Sequence, residues 1–369
     1  MHPRWLVALL ATLIVGLVVP VGGAHAVPTA RGEADATRVE APRTASGVVS
    51  RGISFSLSNS VEGLFETLGG CAADRKFHDV RARLVGPRRV VEGRAGAIGV
   101  NLLVHDAGTG GWFWNLRSHS GHDYATQLAR QGQTSVVLDR LGYDASPLRN
   151  GNRSCLDAQV AMVHQVVQNL RAGKYDLAGR PAGTGPRPAA SHVVVHGHGT
   201  GALIAQLEAA RNNDVDGLVL MSSSSTSPKQ LAVATLREQA ATCLGGADFA
   251  PFGATNQTFN RLMFASAAND VRRRAAQLRN PTPCGDVATV SSAVLIGRSE
   301  ASAVDVPVLV LSGSRDARVS PMNRAQARSA FSGSPHVTAR VFPGAGSALP
   351  LERQAPQVRA TVLRWLHGL

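Results

Sequence analysis

The sequence predicts an α/β architecture: a mostly parallel, twisted sheet with helices on both faces and a helical segment inserted late in the chain. Two observations carry this prediction. From Val80 onward, short apolar runs alternate with longer stretches whose apolar residues recur every three or four positions. Such alternation places successive strands side by side through helical crossovers. The apolar fraction is 44%, ample to cover a sheet on both sides. At 369 residues the chain has room for one large domain with an insertion, or for two ordinary ones.

The elements follow in order. His2 and Arg4 give a short basic start, Trp5–Val21 is an apolar run, and Ala24-His25-Ala26 is a small-x-small cleavage pattern. This reads as a secretory signal over residues 1–26, removed on export. The competing reading is an uncleaved membrane anchor, against which Pro20 and the cleavage pattern weigh. Residues 27–50 are rich in Pro, Ala, Arg and Glu without apolar period, and are expected to form a disordered tether before a domain over 51–369. Strands are expected at Val80–Val85, Arg89–Val91 and Gly99–Val104, then a helix over Asp123–Gln131 and a strand over Thr134–Leu138. A long helix over Leu156–Leu170 puts Val160, Val163, Val167 and Leu170 on one face. After the Gly/Pro-rich loop Gly173–Ser191 come a strand His192–His196, a helix Ala202–Arg211 and a strand Gly217–Met221. Residues 228–302 break the alternation and are expected to form a helical cap. The pattern then resumes with Val306–Leu311, Asn323–Phe331, Val337–Phe342 and Gln354–Leu366.

Cys71, Cys155, Cys243 and Cys284 contain no C-x-x-C pair that would suggest zinc or a redox dithiol. In an exported chain four cysteines imply two disulfides. Three pairings are open; Cys71–Cys155 with Cys243–Cys284 is favoured because the latter two bracket one inserted segment. The net charge is +13, but nearly all of it is arginine scattered along the chain. The densest cluster, Arg272-Arg273-Arg274 with Arg279, has no interleaved aromatic residue and reads as a solvated helix face. Nucleic acid is therefore not an expected partner; a weak attraction to an anionic envelope surface is compatible with the charge.

Five motifs carry a resemblance. Val104-His105-Asp106-Ala107-Gly108-Thr109-Gly110-Gly111-Trp112 follows the third strand, and Leu138-Asp139-Arg140-Leu141-Gly142-Tyr143-Asp144-Ala145-Ser146-Pro147 the fourth. Gly197-His198-Gly199-Thr200-Gly201 stands between a strand and a helix. Ser312-Gly313-Ser314-Arg315-Asp316 ends a later strand, and Phe342-Pro343-Gly344-Ala345-Gly346-Ser347 ends the last. In this order they resemble the oxyanion loop, the loop after strand four, the nucleophile elbow, the acid strand and the histidine segment of the α/β-hydrolase superfamily, of a secreted bacterial type. The resemblance implies the α/β-hydrolase fold from about Val80 to the C-terminus, and an esterase- or lipase-like ancestry.

Carried across residue by residue, the resemblance places the nucleophile at Gly199, the base at Ser347 and the acid at Asp316. Only the acid keeps its chemistry. A serine triad needs an attacking oxygen and a histidine to take its proton. Losing either costs on the order of a million-fold in turnover, leaving roughly a thousandfold over water. Asp106 also replaces the glycine beside His105, and a carboxylate aimed into an oxyanion hole opposes the charge that hole exists to hold. The expectation is a non-hydrolytic pseudoenzyme that binds a small apolar or amphipathic ligand. Its cleft at the strand ends would be bordered by His105, Asp106, Ala107, His198, Thr200 and Trp112.

The alternative is an enzyme of non-serine mechanism (elimination, isomerisation or cyclisation) using Asp316, His105, His198 or Asp106 as acid or base. Thr200 as a substitute nucleophile and His336 as a displaced base are weaker possibilities. Ser222–Ser225 reads as a polar loop capping the next helix. Trp112 and Trp114 with Phe113 would either line the cleft or pack their loop on the sheet. His196 and His198 are close in sequence, but no ligand-rich spacing supports a metal, and no cofactor is implied.

Overall fold

The computed structural model describes residues 47–61, 70–223 and 227–369. The expected signal segment and residues 27–46 of the expected tether lie outside them. Among the described residues, nine strands form one sheet in the order β11-β10-β7-β6-β3-β4-β2-β1-β5. These are β1 (Val48–Ser58), β2 (Phe77–Pro87), β3 (Ile98–Val104), β4 (Ser135–Leu138), β5 (Asp176–Leu177), β6 (Ala190–His198), β7 (Gly217–Met221), β10 (Val308–Gly313) and β11 (Val337–Phe342). A separate two-stranded ribbon pairs β8 (Phe249–Pro251) with β9 (Pro281–Pro283). Strands β4, β3, β6, β7, β10 and β11 are parallel; β2, β1 and β5 extend the sheet antiparallel.

The central strands β3, β4, β7 and β10 are almost entirely apolar and buried because both faces are covered. Leu102, Val104, Val136, Val193, Val195, Leu218, Leu220, Val308 and Val310 enter one core. The residues between them, Leu103, Val137, Val194, Val219, Leu309 and Leu311, enter the other. This is the period of two that strand geometry imposes. The first core is closed by helices α2 (Leu156–Ala172), α3 (Thr200–Asn212), α7 (Cys284–Glu300) and α8 (Arg324–Ala330). The second is closed by α1 (Tyr124–Ala129), α9 (Ala355–Leu366) and the aromatic segment Trp112–Trp114. Helix α2 is bounded by chemistry its sequence states: the Cys155 sulfur accepts from Ala158 N, and Gly173 ends the helix at φ +63°.

Three expectations are corrected. Strand β1 begins at Val48, three residues inside the expected tether, and its Ile53, Phe55 and Leu57 alternate into the core. Arg88–Val91 is a helical turn after Pro87, not a strand, because Val90 and Val91 must both be buried. The inserted region 228–302 also divides. Its last helix, α7, belongs to the layer on the sheet: Gln206 Nε2 donates to Gly297 O (2.5 Å), and Leu156 N to Thr289 Oγ1 (3.0 Å). The part standing over the strand ends comprises α4 (Gln230–Leu244), α5 (Asn256–Met263), α6 (Asn269–Gln277) and the ribbon. In α6, Arg272 and Arg274 are half-buried and Arg273 is exposed.

Both favoured disulfides are formed, Cys71–Cys155 and Cys243–Cys284, with Cα separations of 5.4 and 5.5 Å. The second ties the end of α4 to the start of α7 across 41 residues. Changing both Cys243 and Cys284 to serine is expected to lower unfolding free energy by about 2–4 kcal/mol. Urea titration measures the loss, and hydrogen exchange is expected to rise first in α4.

Candidate functional site

Strand β6 ends at His198 and helix α3 begins at Thr200, so Gly199 alone makes the turn, at φ 55° and ψ −114°. Gly199 N donates to Met221 O on the neighbouring strand (2.9 Å). A Cβ on Gly201 would lie 2.3 Å from Val104 O, so the glycine there lets the helix start against β3. The elbow is thus intact as backbone. The turn itself carries no side chain, and a neighbouring carboxylate stands over it.

The Asp106 carboxylate occupies it. Oδ1 accepts from Thr200 N (2.7 Å) and from Ala107 N (2.8 Å). In this fold the N–H after the nucleophile and an N–H of the loop after the third strand form the oxyanion hole. A Cβ built on Gly199 would fall 2.1 Å from Asp106 Oδ2 and 2.2 Å from its carboxyl carbon. One side chain therefore takes both N–H groups and fills the space a Cβ on Gly199 would need. The glycine is required by its neighbour as well as by its φ.

The charge on Asp106 is held by Arg318, whose Nη1 donates to Asp106 Oδ2; both side chains are buried. Burial by itself would push the carboxyl up, but the guanidinium and the donated N–H groups outweigh it and hold Asp106 at about 2. Arg318 also reaches Ser347 Oγ (3.3 Å) and lies over the Phe252 ring, 5.0 Å from its centre. The loop carrying Ser347 is fixed from three sides. His198 Nε2 lies 3.1 Å from Ser347 O, Ser222 Oγ donates to the same oxygen (2.9 Å), and Glu352 Oε1 accepts from Gly346 N (3.0 Å). Ser222 thus braces the site rather than capping a helix; residues 224–226 lie outside the described residues.

Asp316, at the position expected for the acid, is buried and turned to its own loop, with Oδ1 accepting from Arg318 N (2.8 Å) and Val319 N (3.2 Å). Burial raises its carboxyl above the ordinary carboxylate value. It therefore positions Arg318 by fixing that residue's backbone. His198 is fully buried and stacks on Phe113 at 4.4 Å, and burial lowers it to about 4, leaving the ring neutral. His105 is consumed by structure: Nδ1 lies 2.8 Å from Asp106 O, and Nε2 accepts from Arg140 N (3.1 Å). His196 is fixed between Tyr124 Oη (3.0 Å) and Asn101 Oδ1 (3.1 Å). His336 is exposed at the start of β11, the opposite end of the sheet.

Above this floor is a cavity of about 360 Å³, within the range of small-ligand sites. Ala107, Thr200, Arg318 and Val319 form its base; Ala232, Val233 and Leu236 of α4 and Val287, Val290 and Val294 of α7 form its sides. Leu295, also on the wall, is 66% exposed, so the cavity opens to solvent there. Of the six residues expected to border the cleft, Ala107 and Thr200 do. His105, Asp106 and His198 lie behind the wall, and Trp112 packs its loop into the core beside Phe113.

The sequence does not single out Arg318. A buried carboxylate demands a cation, and Arg318 stands two residues beyond the acid motif, but its spacing does not single it out among so many arginines. Nor does it place the apolar faces of α4 and α7 at the cavity, because only folding brings them over the strand ends.

Comparison with known proteins agrees with this fold. Residues 102–361 match the alpha/beta hydrolase family, and the chain belongs to it. No curated protein sequence matches the chain. Among solved structures, a thermophilic esterase from Thermogutta terrifontis shares 17% identity with a TM-score of 0.58, covering 81% of this chain and 97% of its own. A thermostable carboxyl esterase from Bacillus coagulans shares 16% identity at a TM-score of 0.56, with coverages of 86% and 98%. A monoacylglycerol lipase from Paleococcus ferrophilus shares 18% identity at 0.53, with coverages of 73% and 95%. At these identities the likeness shows the fold alone.

Proposed function

We propose that this chain is an exported, non-hydrolytic member of its family that binds a small apolar or amphipathic molecule in the cavity beneath α4. The observation that carries this reading is the Asp106 carboxylate, which takes both oxyanion-hole donors and the space above Gly199. Hydrolysis of an ester would have to displace a buried ion pair, and would then find neither nucleophile at Gly199 nor imidazole at Ser347. The cavity itself persists, with a mostly apolar wall suited to an acyl or ring-bearing ligand. Two disulfides support passage through an oxidising compartment. No helix among the described residues is long and apolar enough to cross a membrane.

The alternative, an acid–base enzyme of another reaction class, draws less support. Asp316, His105, His198 and Asp106 are absent from the cavity wall. Asp286 does reach it, but its Oδ2 is taken by Arg140 (3.2 Å) and Tyr143 (3.0 Å), and its Oδ1 by Ser154 (2.6 Å).

Native mass spectrometry and thermal shift with fatty acids, long-chain alcohols and their p-nitrophenyl esters test the proposal. The expected result is a 1:1 complex with the ester recovered intact, and no labelling by a serine-directed phosphonate. At a hundredfold excess over Kd the ligand adds about 2.7 kcal/mol of stability. Val290→Trp, which fills the cavity from α7, is expected to remove that shift. Phosphonate labelling or ester turnover by the native protein contradicts the reading.

A further inference from the structure

A second constellation lies away from the cavity, between helices α2 and α3. His164 projects from α2, Glu208 from α3, and Asp214 from the turn after α3. Asn213 adopts a left-handed conformation at φ 48°, which folds Asp214 back toward the two helices. His164 Nδ1 lies 2.8 Å from Asp214 Oδ2 and 3.8 Å from Glu208 Oε1. One ligand atom from each of the three residues lies within 4.8 Å of the other two.

The polar accounting of this cluster is unfinished. Glu208 is fully buried, and neither carboxylate oxygen has a hydrogen-bond partner among the described residues. His164 Nδ1 and Asp214 Oδ1 also lack one, the close His164–Asp214 approach being out of line for a hydrogen bond. A buried carboxylate without partners is costly and calls for a counter-charge. Asp214, by contrast, is well positioned: Gln168 Nε2 donates to Oδ2 (2.6 Å), and Arg171 Nε and Nη2 donate to its backbone oxygen (2.9 and 2.7 Å).

We infer that His164, Glu208 and Asp214 form a binding site for a divalent first-row metal ion of the Zn²⁺ type. An ion bound at about 2.0–2.2 Å in tetrahedral geometry separates its ligand atoms by roughly 3.4 Å, and the observed 2.8 and 3.8 Å bracket that spacing. One imidazole with two carboxylates suits Zn²⁺ better than Ca²⁺ or Mg²⁺, which favour all-oxygen sets. The His164 side chain is 35% exposed, leaving an entry path and room for water as a fourth ligand. The ion would clamp α2 to α3, and the site is independent of whether the cavity binds a ligand.

Untagged protein is stripped with a chelator and equilibrated with Zn²⁺ by dialysis, and in parallel with Co²⁺ for absorption spectroscopy. The expected result is one ion retained per chain, with the visible bands of four-coordinate Co²⁺. Glu208→Gln and His164→Gln are each expected to weaken retention by at least about tenfold, as loss of a direct ligand requires. His164 is half-exposed, so its variant keeps the test informative should the buried Glu208 change impair folding. Retention that is absent in the native protein, or undiminished in folded His164→Gln, overturns the assignment.

Discussion

Gly199→Ser lowers unfolding free energy by roughly 2–6 kcal/mol and confers no esterase activity. Two costs combine. A side chain at φ 55° and ψ −114° is strained, by about 1–3 kcal/mol. Its Cβ would also press into a carboxylate 2.1 Å away, and overpacking of a rigid interior costs a further 1–3 kcal/mol or so. The second cost belongs to a pair and so is separable. In a cycle with Asp106→Gly, the double variant is expected to be more stable than the two single losses predict, by about 1–3 kcal/mol. Additive losses would show that Asp106 does not occupy the elbow. Changing Gly199 and Ser347 to serine and histidine therefore does not suffice to arm the site while Asp106 remains.

Arg318→Met is the second large effect. It leaves Asp106 buried and ionised without its cation, an arrangement that costs about 3–5 kcal/mol when one partner of a buried pair is removed. The pH dependence should reverse sign. In the native protein Asp106 titrates at about 2 against an ordinary value of 3.8, so its contribution is full above that ordinary value and is lost as pH falls toward 2. Without Arg318, burial dominates and the folded-state carboxyl rises above its unfolded value. Its contribution is then full at low pH and is lost as pH rises through the new folded value. Urea titrations across pH 3–8 distinguish the two slopes. Asp106→Asn in the Arg318→Met background is expected to recover most of the loss, because the amide oxygen still accepts from Thr200 N and Ala107 N without carrying charge. No recovery would mean that Arg318 stabilises through packing on Phe252 instead.

Much of this was legible in the sequence, for identifiable reasons. Continuous apolar strands at Gly217–Met221 and Val306–Leu311 and the apolar face of Leu156–Leu170 announce a doubly covered sheet. The glycine at the centre of the elbow motif, Gly199, can be read directly, and so can the oddity of Asp106. Their relation cannot, because 93 residues separate them and only the close approach of β3 to β6 brings them together. Arg318 carries no motif. Strand β1 is also written in the sequence, in the alternation of Ile53, Phe55 and Leu57, but Arg51 and Gly52 separate that alternation from Val48-Val49, which places the strand start inside the expected tether. The His164–Glu208–Asp214 cluster has no ligand spacing because its members converge from two helices and a turn.

The chemistry of the site depends on where the Asp106 carboxylate sits, and a crystal structure of the native protein at high resolution measures that directly. It is expected to show Asp106 Oδ1 at hydrogen-bond distance from both Thr200 N and Ala107 N, with Oδ2 against Arg318 and no other anion or water between them. Density placing Asp106 away from the elbow, with water or a bound anion on those two N–H groups, would contradict the proposal that the site is filled from within.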